Sequence, residues 1–91
     1  MKMISVGYGN MINAQRVIAV VSPDSAPMRR LVQEEREDRR VIDATCGKRT
    51  KAVLVMDSGH LILSPLQTET IAARINDRKN ESVEDTNAGE D

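Results

Sequence analysis

The chain has 91 residues, of which 40% are hydrophobic and 30% charged, and its formal net charge is −1. This balance is typical of one globular domain. Tyr8 is the only aromatic residue, which excludes proteins that stack bases or bind quaternary ammonium groups on exposed aromatic side chains. No apolar run approaches the roughly 20 residues of a membrane helix. The single cysteine, Cys46, excludes an internal disulfide, and we expect a cytoplasmic protein without a signal peptide or membrane contact.

Charge is distributed unevenly along the chain. Residues 77–91 hold six acidic and two basic residues, which leaves 8 acidic and 11 basic residues in residues 1–76. We therefore predict one folded domain over residues 1–76, followed by an acidic, disordered tail over residues 77–91. A basic body with an acidic tail is compatible with a polyanionic partner, whereas the simplest role of the tail itself is solubility.

The first 22 residues alternate between strand-like segments and turns. Residues 3–6 predict a short strand, the glycine-rich residues 7–10 a turn, and residues 11–12 a brief extended piece. Residues 16–22 predict a longer strand that is apolar on both faces, so neither face should lie in water. Alternation along this strand assigns Val17, Ala19 and Val21 to one face, and Ile18 and Val20 to the other.

A helix is predicted from about Ala26 to Arg39. Ser22 or Ser25 can cap its first turn, where proline is also tolerated. Its apolar stripe is narrow, and the rest of its surface is charged and should be solvated. The stripe consists of Met28, Leu31 and Val32. Arg29 and Arg30 are candidates for secondary contacts with a polyanion, although a helix N-terminus does not favour cations.

The strongest pattern is a pair of strand-like segments on either side of a basic turn. Residues 41–46 and 52–57 are rich in β-branched residues, and Gly47 in the turn between them can adopt the positive φ of a hairpin. We therefore predict a stiff hairpin with Lys48, Arg49 and Lys51 at its tip. Three cations at the tip of an ordered hairpin could contact the phosphate backbone of a nucleic acid. The alternative is that these cations serve only solubility.

The remaining residues predict one more strand and a second helix. Ser58–Gly59 reads as a two-residue turn, and residues 60–63 as the last strand of an antiparallel meander. Ser64 is the expected cap of a helix with Pro65 in its first position. Its expected buried stripe is Leu66, Ile71, Ala72 and Ile75. The fold class is then α+β: a small, mostly antiparallel sheet with two helices, in the order β-β-α-β-β-β-α.

These elements predict self-association. Two short helices are too small to cover both apolar faces of a four- or five-stranded sheet, and an exposed apolar face marks an interface. We expect a homo-oligomer formed through the sheet, its edge or the first helix. Identical subunits would repeat the basic tip, and linked weak sites gain affinity together.

The sequence does not favour an enzyme. Asp57, Ser58 and His60 fall within one tight turn, whereas the members of a catalytic triad converge from separate parts of a fold. Cys46 and His60 supply two metal ligands, fewer than the three or four that zinc usually takes. Cys46 is expected to be a small buried hydrophobe. We therefore expect no catalytic site, metal, cofactor or small-molecule substrate.

Three segments carry a resemblance to a known family. They are INAQRVIAVVSPDSAPMRRLV, VIDATCGKRTKAVLVMDSGHLILS and PLQTETIAARI. Their order and spacing closely resemble the RemA family of bacterial extracellular matrix regulatory proteins, over residues 3 to about 76. The resemblance implies a ring-shaped homo-oligomer that binds duplex DNA, associates with the nucleoid and activates transcription of biofilm matrix genes.

The resemblance also implies which residues contact DNA. The basic hairpin of the family corresponds to Lys48, Arg49 and Lys51, and its basic strand entry to Arg16. Lysine stands at positions 48 and 51, where the family pattern has arginine, so the charge is kept and the planar fork of guanidinium is lost. The competing hypothesis is an oligomeric scaffold that binds another protein and not DNA.

Overall fold

The computed structural model describes residues 1–77 and has an α+β fold. Apart from Asp77, the predicted acidic tail lies outside these residues. The strands are β1 (Met3–Ser5), β2 (Met11–Asn13), β3 (Val17–Val21), β4 (Val41–Asp43), β5 (Ala52–Met56) and β6 (Leu61–Ser64). The helices are α1 (Ala26–Glu37) and α2 (Thr68–Asn76), and a 3-10 turn spans Ala14–Arg16. The α+β class is confirmed. The predicted order lacked one strand, because residues 11–13 pair with β1 as a strand of their own.

The main sheet has four strands in the order β3-β5-β6-β4, and β1 and β2 form a separate antiparallel pair. β5 is antiparallel to β3 and to β6, whereas β4 is parallel to β6. The predicted hairpin between residues 41–46 and 52–57 is therefore wrong, and so is the antiparallel meander. The reason is burial: all four residues of β6 are buried. Such a strand takes an interior position in the sheet, between β4 and β5.

The two faces of the main sheet are covered unequally. On one face, Leu54 and Ile62 pack with Ile4 of β1, with Val6 just after β1, and with Ile71 of α2. On the other face, α1 packs over a buried cluster that contains Val53, Leu61 and Leu63. No residue of α1 itself is fully buried. This face is therefore the more thinly covered of the two.

A bulge alters the faces of β3. The register against β5 shifts between Val17 and Ala19, so Val17 packs in the same core as Val20. Ile18, at the bulge, is 66% exposed. The predicted strict alternation along this strand is wrong, because one extra residue reverses the faces that follow it.

The starts of the two helices follow the expectations to different degrees. The Ser25 hydroxyl accepts a hydrogen bond from the Met28 amide at 3.2 Å, which confirms one of the two predicted caps of α1. Ser64 does not cap α2. Its buried hydroxyl donates to the Val6 carbonyl at 2.8 Å and ties β6 to the β1–β2 layer. α2 begins at Thr68, and Ala72 is exposed rather than part of the buried stripe.

No helix within residues 1–77 is long and apolar enough to span a membrane.

Candidate nucleic-acid interface

Residues 44–51, which we call the basic loop, connect β4 to β5 across the C-terminal end of β6. Both ends of the loop are tied to that strand. The Ala44 amide donates to the Leu63 carbonyl at 2.9 Å, and the Lys51 amide donates to the Ser64 carbonyl, also at 2.9 Å. The loop therefore crosses over β6 with both of its ends hydrogen-bonded to that strand, and it is not the tip of a hairpin.

A tight turn shapes the first half of the basic loop. The Lys48 amide donates to the Thr45 carbonyl at 2.9 Å, and the central residues Cys46 and Gly47 have φ values of 55° and 83°. Positive φ at both central positions is the signature of a type I′ turn. The left-handed conformation predicted for Gly47 is confirmed. Cys46 is exposed, so its expected burial is wrong, because the turn directs it away from the core.

Asp43 secures the turn from the end of β4. Its Oδ1 accepts hydrogen bonds from the Thr45 hydroxyl at 2.6 Å and from the Thr45 amide at 2.8 Å. These two bonds, with a smaller contribution from the positive charge of Arg36, hold the pKa of Asp43 below its ordinary value. The carboxylate is therefore ionised at neutral pH, and the turn that precedes Lys48 is held by hydrogen bonds to a charged acceptor.

The cations of the basic loop face solvent. Lys48 and Arg49 are exposed and Lys51 is half-buried. The Arg49 guanidinium lies 4.0 Å from the carboxylate of Asp24, and both side chains are at least 70% exposed. An ion pair this long and this exposed contributes little to stability. The guanidinium is therefore free to exchange Asp24 for another anion.

A polar cavity of about 320 Å³ adjoins Arg49 and Lys51. Three segments that are distant in sequence line it: the basic loop, the β3–α1 connection and the start of α2. The lining residues are Ser22, Asp24, Arg49, Thr50, Lys51, Gln67, Thr68 and Glu69. Sequence reasoning missed Asp24 and Glu69 as neighbours of the basic loop, because no local pattern links residues so far apart along the chain.

The two arginines predicted as secondary contacts differ in position. Arg29 lines a second groove, of about 290 Å³, together with Arg36 and Thr50 of the basic loop. Arg30 is exposed on α1 and lines neither this groove nor the polar cavity. Arg29 is thus the one of the pair that adjoins the basic loop.

Arg16 lies at the opposite end of the sheet from the basic loop. Its guanidinium contacts both carboxylate oxygens of Asp57, at 3.2 and 3.3 Å, and its carbonyl accepts from the Asp57 amide. Lys51 and Arg16 flank opposite ends of the paired strands β3 and β5, about 20 Å apart at the rise of a β-strand. Lys48, Arg49 and Lys51 therefore lie together in one subunit, and Arg16 lies apart from them.

The side chains of Asp57, Ser58 and His60 do not have the arrangement of a catalytic triad. Ser58 Oγ lies 2.7 Å from His60 Nδ1, but the Asp57 carboxylate contacts Arg16 instead. A triad needs the carboxylate on the imidazole. In the part of the chain that the structure describes, no group of three His, Cys, Asp or Glu residues could hold a metal ion.

Comparison with known proteins identifies the family. The RemA-like family, described as extracellular matrix regulatory protein A-like, matches residues 3–75. A Bacillus cytotoxicus protein named "Putative regulatory protein" is 54% identical over 84 residues, which cover 92% of this chain and 97% of that protein. Proteins of the same designation from Bacillus mycoides and Bacillus cereus match with the same identity and coverage. The resemblance drawn from the sequence is thereby confirmed, and the chain belongs to the RemA-like family.

Proposed function

We propose that this chain is a DNA-binding transcriptional regulator that acts as a ring-shaped homo-oligomer and grips duplex DNA through repeated basic loops. Two findings on related proteins support a regulatory role: the description of the family and the names of the Bacillus relatives. By the same relationship, we propose that the protein is cytoplasmic, associates with the nucleoid and activates the transcription of genes for extracellular matrix.

The basic loop is the observation that carries the proposal. Its type I′ turn and its two bonds to β6 hold the backbone on either side of Lys48 and Arg49. Because this backbone is already fixed, only the side chains lose entropy when the cations meet phosphates. Phosphate contacts of this kind supply affinity and orientation, and DNA shape and bendability would then supply sequence preference.

Self-association is proposed from the two edges of the main sheet. β3 and β4 are its edge strands, and each exposes an isoleucine, with Ile18 66% and Ile42 52% exposed. Opposite edges of one sheet can meet in a head-to-tail contact, which closes into a ring when the rotation between copies allows it. The ring would repeat the basic loop around its circumference, and the linked contacts would gain ~10²-fold or more over a single one.

Arg16 and Arg29 are assigned to further DNA contacts. Arg29 adjoins the basic loop and would extend the same phosphate-binding surface. Arg16 is about 20 Å from that surface within a subunit. It would contact DNA only where the duplex spans both ends of the sheet, and it would have to leave Asp57. Arg30 is kept as a peripheral contact of the same kind.

The test is a duplex-DNA titration at several salt concentrations with the full-length protein. We expect the Lys48→Ala, Arg49→Ala double variant to lose most of its affinity and to reduce the slope of log K against log salt by about 0.9 for each phosphate that it no longer neutralises. Arg39→Ala with Arg40→Ala, which likewise removes two exposed cations but outside both cavities, is the matched control and should bind nearly as the wild type does. If the double variant keeps wild-type affinity and slope, the basic loop is not the DNA-binding surface.

The exposure of α1 favours a second candidate, a scaffold for another protein. None of the residues of α1 is fully buried, and its surface is highly charged. Such a helix could bind a partner of complementary charge. A partner that stays bound after nuclease treatment, together with no retardation of duplex DNA at low salt, would favour the scaffold over the DNA-binding regulator.

A further inference from the structure

The cations of the basic loop are poorly compensated by the folded domain. Within residues 1–77, Lys48 and Lys51 have no carboxylate within 4.0 Å, and Arg49 has only the marginal contact with Asp24. Asp24 and Glu69 line the same cavity as Arg49 and Lys51, but two carboxylates without a close ion pair leave the three cations with a net positive potential that attracts a nearby anionic segment.

The chain itself contains such an anionic segment. Residues 81–91, which we call the acidic segment, hold five acidic residues and no basic ones: Glu81, Glu84, Asp85, Glu90 and Asp91. The segment has no aromatic residue and a single valine. It therefore has little apolar surface with which to form a core of its own, and its main means of binding is charge.

The route of the chain brings the acidic segment within reach of the basic loop. The nine residues of α2 begin at Thr68, which lines the same cavity as Arg49 and Lys51, and end at Asn76. A nine-residue helix is about 13 Å long. An extended chain covers about 3.3 Å per residue, so the seven or eight residues that follow α2 span up to about 25 Å. Glu84 and Asp85 can therefore return along α2 to the basic loop.

We propose that the acidic segment docks on the basic loop of its own chain and competes there with DNA phosphates. The docking needs only the charges of this chain, whereas its regulatory consequence rests on the DNA-binding function proposed above. The carboxylates take the positions that phosphates would occupy, so the segment is a built-in competitor that lowers DNA affinity.

The size of the competition follows from tethering. A short covalent tether gives an effective concentration of about millimolar order. If the isolated contact has a dissociation constant of the same order, about half of the loops are occupied and DNA affinity falls about twofold per loop. These factors multiply over all loops that contact one duplex. Because the contact is ionic and exposed, the competition should weaken as salt rises.

The first experiment locates the acidic segment without using DNA. The full-length protein is treated with a water-soluble carbodiimide, which joins a carboxylate directly to a lysine amine, and the cross-links are mapped by mass spectrometry. Lys48 and Lys51 are the target amines. Lys2, whose ammonium donates to the carbonyls of Ile75 and Asp77 at the C-terminal end of α2, is the internal control. We expect cross-links from Glu84 or Asp85 to Lys48 or Lys51, and their loss at high salt. Cross-links to Lys2 alone would overturn the proposal.

The second experiment measures the consequence for DNA binding. A full-length variant with all five acidic residues replaced by their amides should bind duplex DNA at least twofold more tightly per engaged loop. The control variant, Glu34→Gln with Glu37→Gln and Asp38→Asn, removes negative charge from α1 instead and should bind nearly as the wild type does. The tail variant removes five charges and the control three, so an equal gain per charge removed would mean that net charge, and not docking, is responsible. If the cross-links form while no variant binds DNA, the docking stands and the proposed DNA-binding function fails.

Discussion

Replacing Gly47 with alanine tests whether the conformation of the basic loop matters for binding. Gly47 has a φ of 83°, and no described heavy atom lies within 4 Å of the position that a Cβ would take. The substitution therefore adds backbone strain without a steric clash. A left-handed conformation costs an alanine about 1–2 kcal/mol. The free energy of unfolding should fall by about that amount.

The same strain should also lower the affinity for DNA. If the loop escapes the strain by leaving its turn, the conformation that presents Lys48 and Arg49 becomes less populated. A cost of about 1 kcal/mol lowers the affinity of each engaged loop by up to about fivefold, and the loss reaches that limit when the strained turn becomes the minor conformer. Affinity is measured by titration of duplex DNA, and stability by chemical denaturation at a fixed protomer concentration.

Gly9 offers a matched control for this variant. It occupies the equivalent position of a second type I′ turn, with a φ of 79° and equally open surroundings among the described residues. That turn, residues 7–10, carries no basic residue. Gly9→Ala should show the same decrease in stability and keep wild-type DNA affinity. Equal decreases of DNA affinity in both variants, or none in Gly47→Ala despite its reduced stability, would refute the link between loop conformation and binding.

Two further predictions concern the support of the basic loop and the core. Asp43→Asn weakens the two hydrogen bonds to Thr45 and should cost about 1 kcal/mol at pH 7, since solvent exposure reduces the value of a charged hydrogen bond. Because the pKa of Asp43 is lowered by folding, its contribution is present above pH ~4 and lost as the pH falls through the folded pKa. Wild-type and variant unfolding curves should therefore converge in acid, and a constant difference down to pH ~2, below the ordinary aspartate range, would contradict this assignment. Leu54→Ala empties a fully buried site and should cost about 2–5 kcal/mol, whereas Gln33→Ala on exposed α1 should change the unfolding free energy by less than about 0.5 kcal/mol; equal losses would contradict the assigned core.

Local sequence patterns predicted the elements better than their pairing. The two helices and the strands around residues 17–21, 52–56 and 61–64 followed from apolar runs and turn residues close to one another in sequence. The turn at Cys46–Gly47 is real and has the expected left-handed backbone. A tight turn does not by itself determine which strands pair. β6 lies between β4 and β5, because the strand that is buried on both sides takes the interior of the sheet.

Other differences arise from contacts between residues that are distant along the chain. The Ser64 hydroxyl donates to the Val6 carbonyl, 58 residues away, so a serine before a proline that reads as a helix cap instead joins two layers. The alternation of residues along β3 likewise could not predict the bulge at Ile18. For the candidate site, three of the four predicted DNA contacts lie together, whereas the pairing of Arg16 with Asp57 depends on the register of β3 and β5. The spacing of apolar residues along the sequence could not have predicted this ion pair.

The mass of the assembly in solution, with and without duplex DNA, tests the central claim most directly. We expect a discrete multiple of the 10.1 kDa protomer at micromolar concentration, and a larger complex when DNA is added at low salt. A species of 10.1 kDa whose mass does not change when DNA is added would contradict both the self-association and the DNA binding proposed for this protein.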